Sequence, residues 1–129
     1  MLGKQGMAAS IVALLAPVDA ANTSAATGPW IDVSAYEGEI TVTIHVGVVT
    51  AGSVALVIQG ATDDQGAGAA TITPNEGAWT TVSTSNDPMI QKRTFDAKGT
   101  GGYIRIVGTV TTGPVEISSS FLAHPKYTS

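Results

Sequence analysis

From Ile40 to Val48, apolar and small polar residues take turns: Ile40, Val42, Ile44, Val46 and Val48 are separated by Thr41, Thr43, His45 and Gly47. A period of two places one set on a buried face and the other on the opposite face of a β-strand. Most of these residues are β-branched, which suits a pleated surface and loses rotamer freedom in a helix. Beyond Thr50-Ala51-Gly52-Ser53, the residues Val54, Leu56 and Ile58 resume the alternation. The stretch from Trp30 to Gln59 therefore predicts a hairpin that turns at Gly52.

The same reading extends in both directions. Trp30, Ile31 and Val33 follow Pro29, and Tyr36-Glu37-Gly38-Glu39 reads as a turn, because Gly38 is free to take positive φ. The loop Asp63-Asp64-Gln65-Gly66-Ala67-Gly68 has turn chemistry, and Pro74-Asn75-Glu76-Gly77 separates short strands at Thr71–Thr73 and Trp79–Ser83. Met89 to Phe95 reads as an edge or interface strand with positive charge on both faces, since Lys92 and Arg93 are adjacent. Tyr103–Val110 and Val115–Leu122 predict a second hairpin across Thr111-Thr112-Gly113-Pro114. Strands at this spacing, with no helix-period segment, indicate an all-β fold: an antiparallel β-sandwich, jelly-roll-like and with an extended N-terminal arm, an immunoglobulin-like strand order being left open beside it.

The N-terminal stretch fits this pattern least. Lys4, the apolar run from Met7 to Ala16 and the small residues to Ala26 have the three-part form of a secretory signal. An N-terminal arm or strand accounts for the same residues and is the reading carried forward. Domain boundaries follow: an arm and linker over 1–28 and a β-sandwich domain over 29–129. The apolar run falls short of the roughly 20 residues a membrane-spanning helix needs, so no membrane partner is expected.

Composition narrows the function. The chain has 129 residues, enough for one domain with a real core, and no Cys, which excludes disulfides and thiolate metal sites. A net charge of −4 argues against nucleic acid and against an anionic membrane. Charged residues make up 12% of the chain, where soluble domains average about 25%. A surface so poor in charge suits a protein that lives in an assembly.

Candidate chemistry is sparse. The two histidines, His45 and His124, fall on a strand face and in the tail and do not form a metal-ligand set. The carboxylate pairs Asp63/Asp64 and Glu37/Glu39 lack the ligand pattern of a calcium loop, and aromatics are too few for a glycosidase cleft. No nucleophile elbow or phosphate loop occurs. No enzyme activity, cofactor or metal is expected. Trp30 and Trp79 raise the alternative of a sugar-stacking module, against the plainer role of core residues.

Several motifs taken together point further. Leu14-Leu-Ala-Pro17, Trp30-Ile-Asp-Val33 with Tyr36-Glu-Gly38, the strand–Gly-Ser–strand segment to Gln59, Asp63-Asp-Gln-Gly66, Tyr103-Ile-Arg105, Phe121-Leu122 and Lys126-Tyr127 occur in this order. In order and spacing, from Leu14 to Tyr127, the chain resembles small structural proteins of tailed bacteriophages, most nearly head decoration (cement) proteins. The resemblance implies a non-enzymatic virion protein on the outer surface of the capsid. Its partner would be the major capsid protein, and it would form a homo-oligomer, with a trimer favoured over a dimer. The segments Gly66–Ala70 and Pro74–Ser85 depart from the family pattern. A tail or head-completion protein is the alternative, and a secreted carbohydrate-binding sandwich a third reading. Contact with the partner is expected from the arm, through Ile11, Val12, Leu14 and Leu15, and from Lys92 and Arg93. Deleting Met1–Pro17 is then expected to leave a folded domain that binds capsids weakly.

Overall fold

The alternation at Ile40–Val46 is a strand whose inward side chains are fully buried, and it forms the middle of one of two packed antiparallel sheets. A computed structural model describes residues 9–126. Within them the strands are β1 (Ser10–Ala20), β2 (Ile31–Asp32), β3 (Tyr36–Val49), β4 (Ser53–Ala61), β5 (Ala70–Ile72), β6 (Val82–Ser83), β7 (Met89–Asp96), β8 (Tyr103–Thr111) and β9 (Val115–Pro125). One sheet has the order β1-β9-β3-β7; the other runs β2-β8-β4-β5, with β6 also paired to β4. A short 3-10 helix, Ala97–Thr100, joins β7 to β8, with the Asp96 carboxylate accepting from the Lys98 N–H.

The pairs are nested. β1 lies beside β9, β2 beside β8, β3 beside β7 and β4 beside β5, so the chain is one long hairpin rolled over two sheets. That is the strand order of a jelly roll, and it decides between the two orders the sequence leaves open. Between the sheets lie Leu14, Ile40, Val42, Ile44, Val54, Ile58, Val82, Ile104, Ile106 and Phe121, all fully buried. Burying each such side chain is worth about 1.5–3 kcal/mol.

The nesting corrects both expected hairpins. β3 and β4 belong to different sheets, and so do β8 and β9, so Thr50–Ser53 and Thr111–Pro114 are arches that carry the chain from one sheet to the other. A strand in a sandwich shows the same period of two whether its successor is beside it or opposite it. The two arches meet at Gly52, where φ is 76° and a Cβ would lie 1.7 Å from the Thr111 carbonyl oxygen. Only a residue without a side chain fits there. The loop from Thr62 to Ala69, by contrast, is a true hairpin connection, with Ile58 facing Ile72 and Gly60 facing Ala70.

Three smaller expectations also change. A register shift between Val46 and Val49 buries Val49 and turns Val48 outward, 63% exposed. Gly38, with φ 75°, lies inside β3 within a second register shift between Glu37 and Thr41, so it bends a strand where a turn was expected. Of Trp79–Ser83 only Val82 and Ser83 form a strand, because Thr80 is paired to a side chain.

The expected arm is a structural strand. Over residues 10–20 the chain pairs with β9 as the edge of the four-stranded sheet, and Leu14, Leu15 and Ala20 are buried in the core. The linker is also built in: Ala26 is fully buried, the Gly28 N–H donates to the Ile106 carbonyl at 3.0 Å, and the Val110 N–H donates to Thr23 Oγ1 at 3.1 Å. Residues 9–28 therefore belong to the sandwich and not to a separate unit. Lys4 and Met7, which shaped the reading of the N-terminus, and Tyr127 lie outside the described residues.

Candidate functional site

The four-stranded sheet is built from long strands of 8 to 14 residues, and its outer face is a continuous surface. In β3, the residues between the buried stripe are Thr41, Thr43 and His45. Across from them on β9 stand Leu122, Ser120 and Ser118, and on β7 stand Thr94, Lys92 and Ile90. β1 adds Ile11 beside Leu122 and Ala13 beside Ser120. Small hydroxyl side chains thus pave the middle, with apolar groups toward both margins. Ile11 is 76% exposed, Ile90 67% and Leu122 37%.

At one end this face dips into a groove of about 500 Å³, lined by Val18, Asp19, His45, Ile90, Glu116 and Ser118 among others. Asp19 and Glu116 face each other across the β1–β9 pair. Among the described residues no group of three His, Asp or Glu side chains is placed to hold a metal ion. His124 sits six positions along β9 from Ser118, the partner of His45. At strand rise that is roughly 20 Å, so the two histidines cannot share a ligand. A second recess of about 470 Å³, at Gly60, Thr71, Phe95, Asp96 and Gly101, is walled largely by main chain and small residues.

The residues expected to contact a partner are not brought together. Ile11 is exposed on the β1 edge, and Val12 is half-buried against the core. Leu14 and Leu15 are corrected: both are interior, because a register shift around Leu15 turns two consecutive residues inward where strict alternation would expose one. Lys92 is exposed on β7, with β9 and β3 lying between it and β1, about 14 Å at usual strand spacing. Arg93 points the other way. Its guanidinium lies 6.0 Å from the centre of the Trp79 ring, and Nη1 donates to the Glu76 carbonyl at 3.4 Å. Sequence reasoning missed Ile90 and Leu122, whose outward direction depends on which strands flank them.

Both tryptophans are used inside the fold. Trp79 is only 8% exposed, so it lines no open groove. Trp30 carries the Arg105 guanidinium 4.5 Å from its ring centre, and Arg105 Nε donates to Gln59 Oε1 at 2.9 Å. The Asp63–Gly68 turn also closes on Trp30, since a Cβ at Gly66 would lie 3.1 Å from Trp30 Nε1. Trp79 therefore offers no open stacking platform, and Arg105 occupies a face of the half-buried Trp30 ring.

The carboxylates with shifted titration are occupied in turns. Hydrogen bonds from the Ser34 hydroxyl and then its N–H hold Asp32 below the ordinary aspartate value. The Ala67 and Gln65 N–H groups do the same for Asp63, at 3.0 and 2.9 Å. The Thr94 hydroxyl and N–H lower Glu76. Each group is a turn-former, and at Asp63 the loop is the turn that its Asp and Gly residues predict.

No family model matches the chain, and no curated protein matches it in sequence. Solved structures match it at low identity and with TM-scores under 0.5. The coat protein dimer of Tobacco streak virus is 14% identical over 94% of this chain and 88% of its own, with a TM-score of 0.42. The C-terminal CBM6 of LamC from Zobellia galactanivorans, a carbohydrate-binding module, is 11% identical over 89% and 98%, with a TM-score of 0.43. The CBM22-1-GH10 modules of Clostridium thermocellum Xyn10B are 8% identical over 78% of this chain, with a TM-score of 0.41, and this chain spans only 19% of their length. Both virus coat proteins and carbohydrate-binding modules are among these matches.

Proposed function

We propose that this chain is a non-enzymatic virion protein that binds the outside of an assembled capsid and stabilises it. The observation that supports this reading most is the outer face of the β1-β9-β3-β7 sheet. It is paved in the middle with Thr and Ser, carries charge at Lys92 and, at one end, at Asp19 and Glu116, and exposes Ile11 beside Leu122 on one side and Ile90 on the other. Such a face fits another protein surface better than a small molecule, which needs a concave pocket with converging polar groups. A cement protein runs no reaction. It binds the closed shell in preference to free subunits, so each bound copy shifts the equilibrium toward assembly, and many copies multiply the effect. The order of motifs from Leu14 to Tyr127 supports the same reading by resemblance.

The test is to purify particles from the source and measure the copy number of this chain against the major capsid protein. The reading requires a simple ratio to the shell subunits. A few copies per particle would transfer the protein to the tail or the head-completion complex. Absence from particles would overturn the virion assignment. Replacing the exposed Ile90 on the β7 edge with Glu is expected to weaken rebinding to stripped shells at least about tenfold, with the fold unchanged.

A further inference from the structure

The strand edges of the two sheets are not treated alike. In the five-stranded sheet they are β2, with two residues, and on the other side β5 and β6, with three and two, so each edge is short and interrupted. In the other sheet β7 is partly covered. The Asn75 N–H donates to the Thr94 carbonyl at 2.8 Å, and the Thr94 N–H donates to Glu76 Oε1 at 2.8 Å. Lys92, exposed two residues away, adds the charge that commonly guards an edge. β1 has neither protection. It runs for eleven residues. Its first charged residue is Asp19, beyond Pro17.

The direction of the free groups follows from the ladder. Because the Thr94 main chain points away from β3, its partner Thr41 points toward β9, and so do Thr43 and His45. Leu122 and Ser120 then face β3, and the alternate residues Phe121 and Ala123 face β1, where they meet Val12 and Ser10. The N–H and C=O groups of Ile11 and Ala13 are left pointing out of the sheet. Among the described residues no segment pairs with them. Further along, Gly28 closes on the Leu14 carbonyl, so the open stretch is the N-terminal half of β1.

We infer that this edge is the site of self-association: a second copy of the chain pairs antiparallel along Ile11–Ala13, about a two-fold axis, to make one continuous eight-stranded sheet. The stretch is its own complement. Donors and acceptors at Ile11 and Ala13 exchange across the axis, and no charge meets a like charge. The same operation at β7 would bring two Lys92 side chains within diagonal reach of each other, which is unfavourable. On the outer face Ile11 sits beside Leu122, so the axis would join two such apolar pairs into one patch. The arrangement is a dimer, in contrast to the trimer the family resemblance favours.

The experiment uses the purified full chain alone, with mass measured by sedimentation equilibrium from micromolar to near-millimolar concentration. A reversible dimer is expected. Ile11→Lys, which sets like charges across the axis, is expected to raise the dimer dissociation constant at least about tenfold. Ile11→Pro, which removes the outward N–H, should do the same, while Lys92→Glu on the far edge should leave it unchanged. Ile11 is 76% exposed, so Ile11→Lys keeps the native circular dichroism and thermal midpoint; it decides the matter even if the proline variant does not fold. A monomer at every concentration, a trimer, or a dimer indifferent to Ile11→Lys overturns the inference. No capsid is present in this assay, so a dimer that ignores shells would remove the proposed function and leave the pairing standing.

Discussion

The two edges of the four-stranded sheet solve the same physical problem in opposite ways. Each edge strand leaves alternate main-chain groups unpaired, and a buried or template-ready edge is costly. β7 is partly covered. Gln91, 6% exposed, accepts from the Thr80 N–H and donates to the Thr80 carbonyl, both at 2.8 Å, and so holds the segment before β6 against the strand. Glu76 and Asn75 cap Thr94 from the adjacent turn. β1 spends its residues on the core, through Leu14 and Leu15, and leaves its outer margin bare at Ile11. The lesson is that polar groups of the adjacent turn cap part of one edge, while the other is secured by apolar burial alone.

That contrast can be broken from either side. The largest effect is expected at β1: Leu14→Ala should cost about 2–5 kcal/mol of stability, because the fully buried site cannot collapse around the lost atoms. By the same logic, deleting residues 1–17 should leave a chain that no longer melts cooperatively, against the expectation of a folded domain with weakened binding. Urea denaturation followed by tryptophan fluorescence measures both. At β7, Gln91→Ala should cost about 2–4 kcal/mol, since it strands both main-chain groups of Thr80 in a part-buried setting. A loss equal to that of an ordinary surface substitution would show that water replaces the amide.

The smallest effect belongs to the exposed cap. Glu76 titrates below its ordinary value of 4.5 because Thr94 hydrogen-bonds to the ionised form. A carboxylate whose folded pKa is lowered contributes stability above its unfolded pKa and loses it as pH falls through the folded value. Glu76→Gln should therefore lower the urea midpoint at neutral pH, and the gap to the native protein should shrink progressively below pH 4.5. A gap that persists unchanged in acid would show that shape, not charge, makes the cap.

Much of the interior was legible because burial in a strand leaves a mark with period two. Ile40, Val42, Ile44, Val54, Leu56 and Ile58 read directly as inward residues and are buried. Where the register shifts, the mark fails: Val48 was read inward and is exposed, while Leu14 and Leu15 were read as contact residues and are core. The surface was legible only as composition. Lys92 could be identified as an edge charge, but Ile11, Leu122 and Ile90 form the margins of one face only because β1, β9, β3 and β7 are neighbours.

By itself, the sequence determined that the chain is all β, where most of its strands lie, and that the Asp63 loop is a structural turn, because these depend on local propensity and alternation. Tertiary structure alone decided that the two short reversals at Gly52 and Gly113 are arches, that the N-terminal stretch is the edge of the four-stranded sheet, and that the opposite edge is partly covered while this one is open. The reason is that pairing is non-local. The partner of Ser10 is Ala123, at the far end of the chain, and a period of two is the same whichever strand answers it.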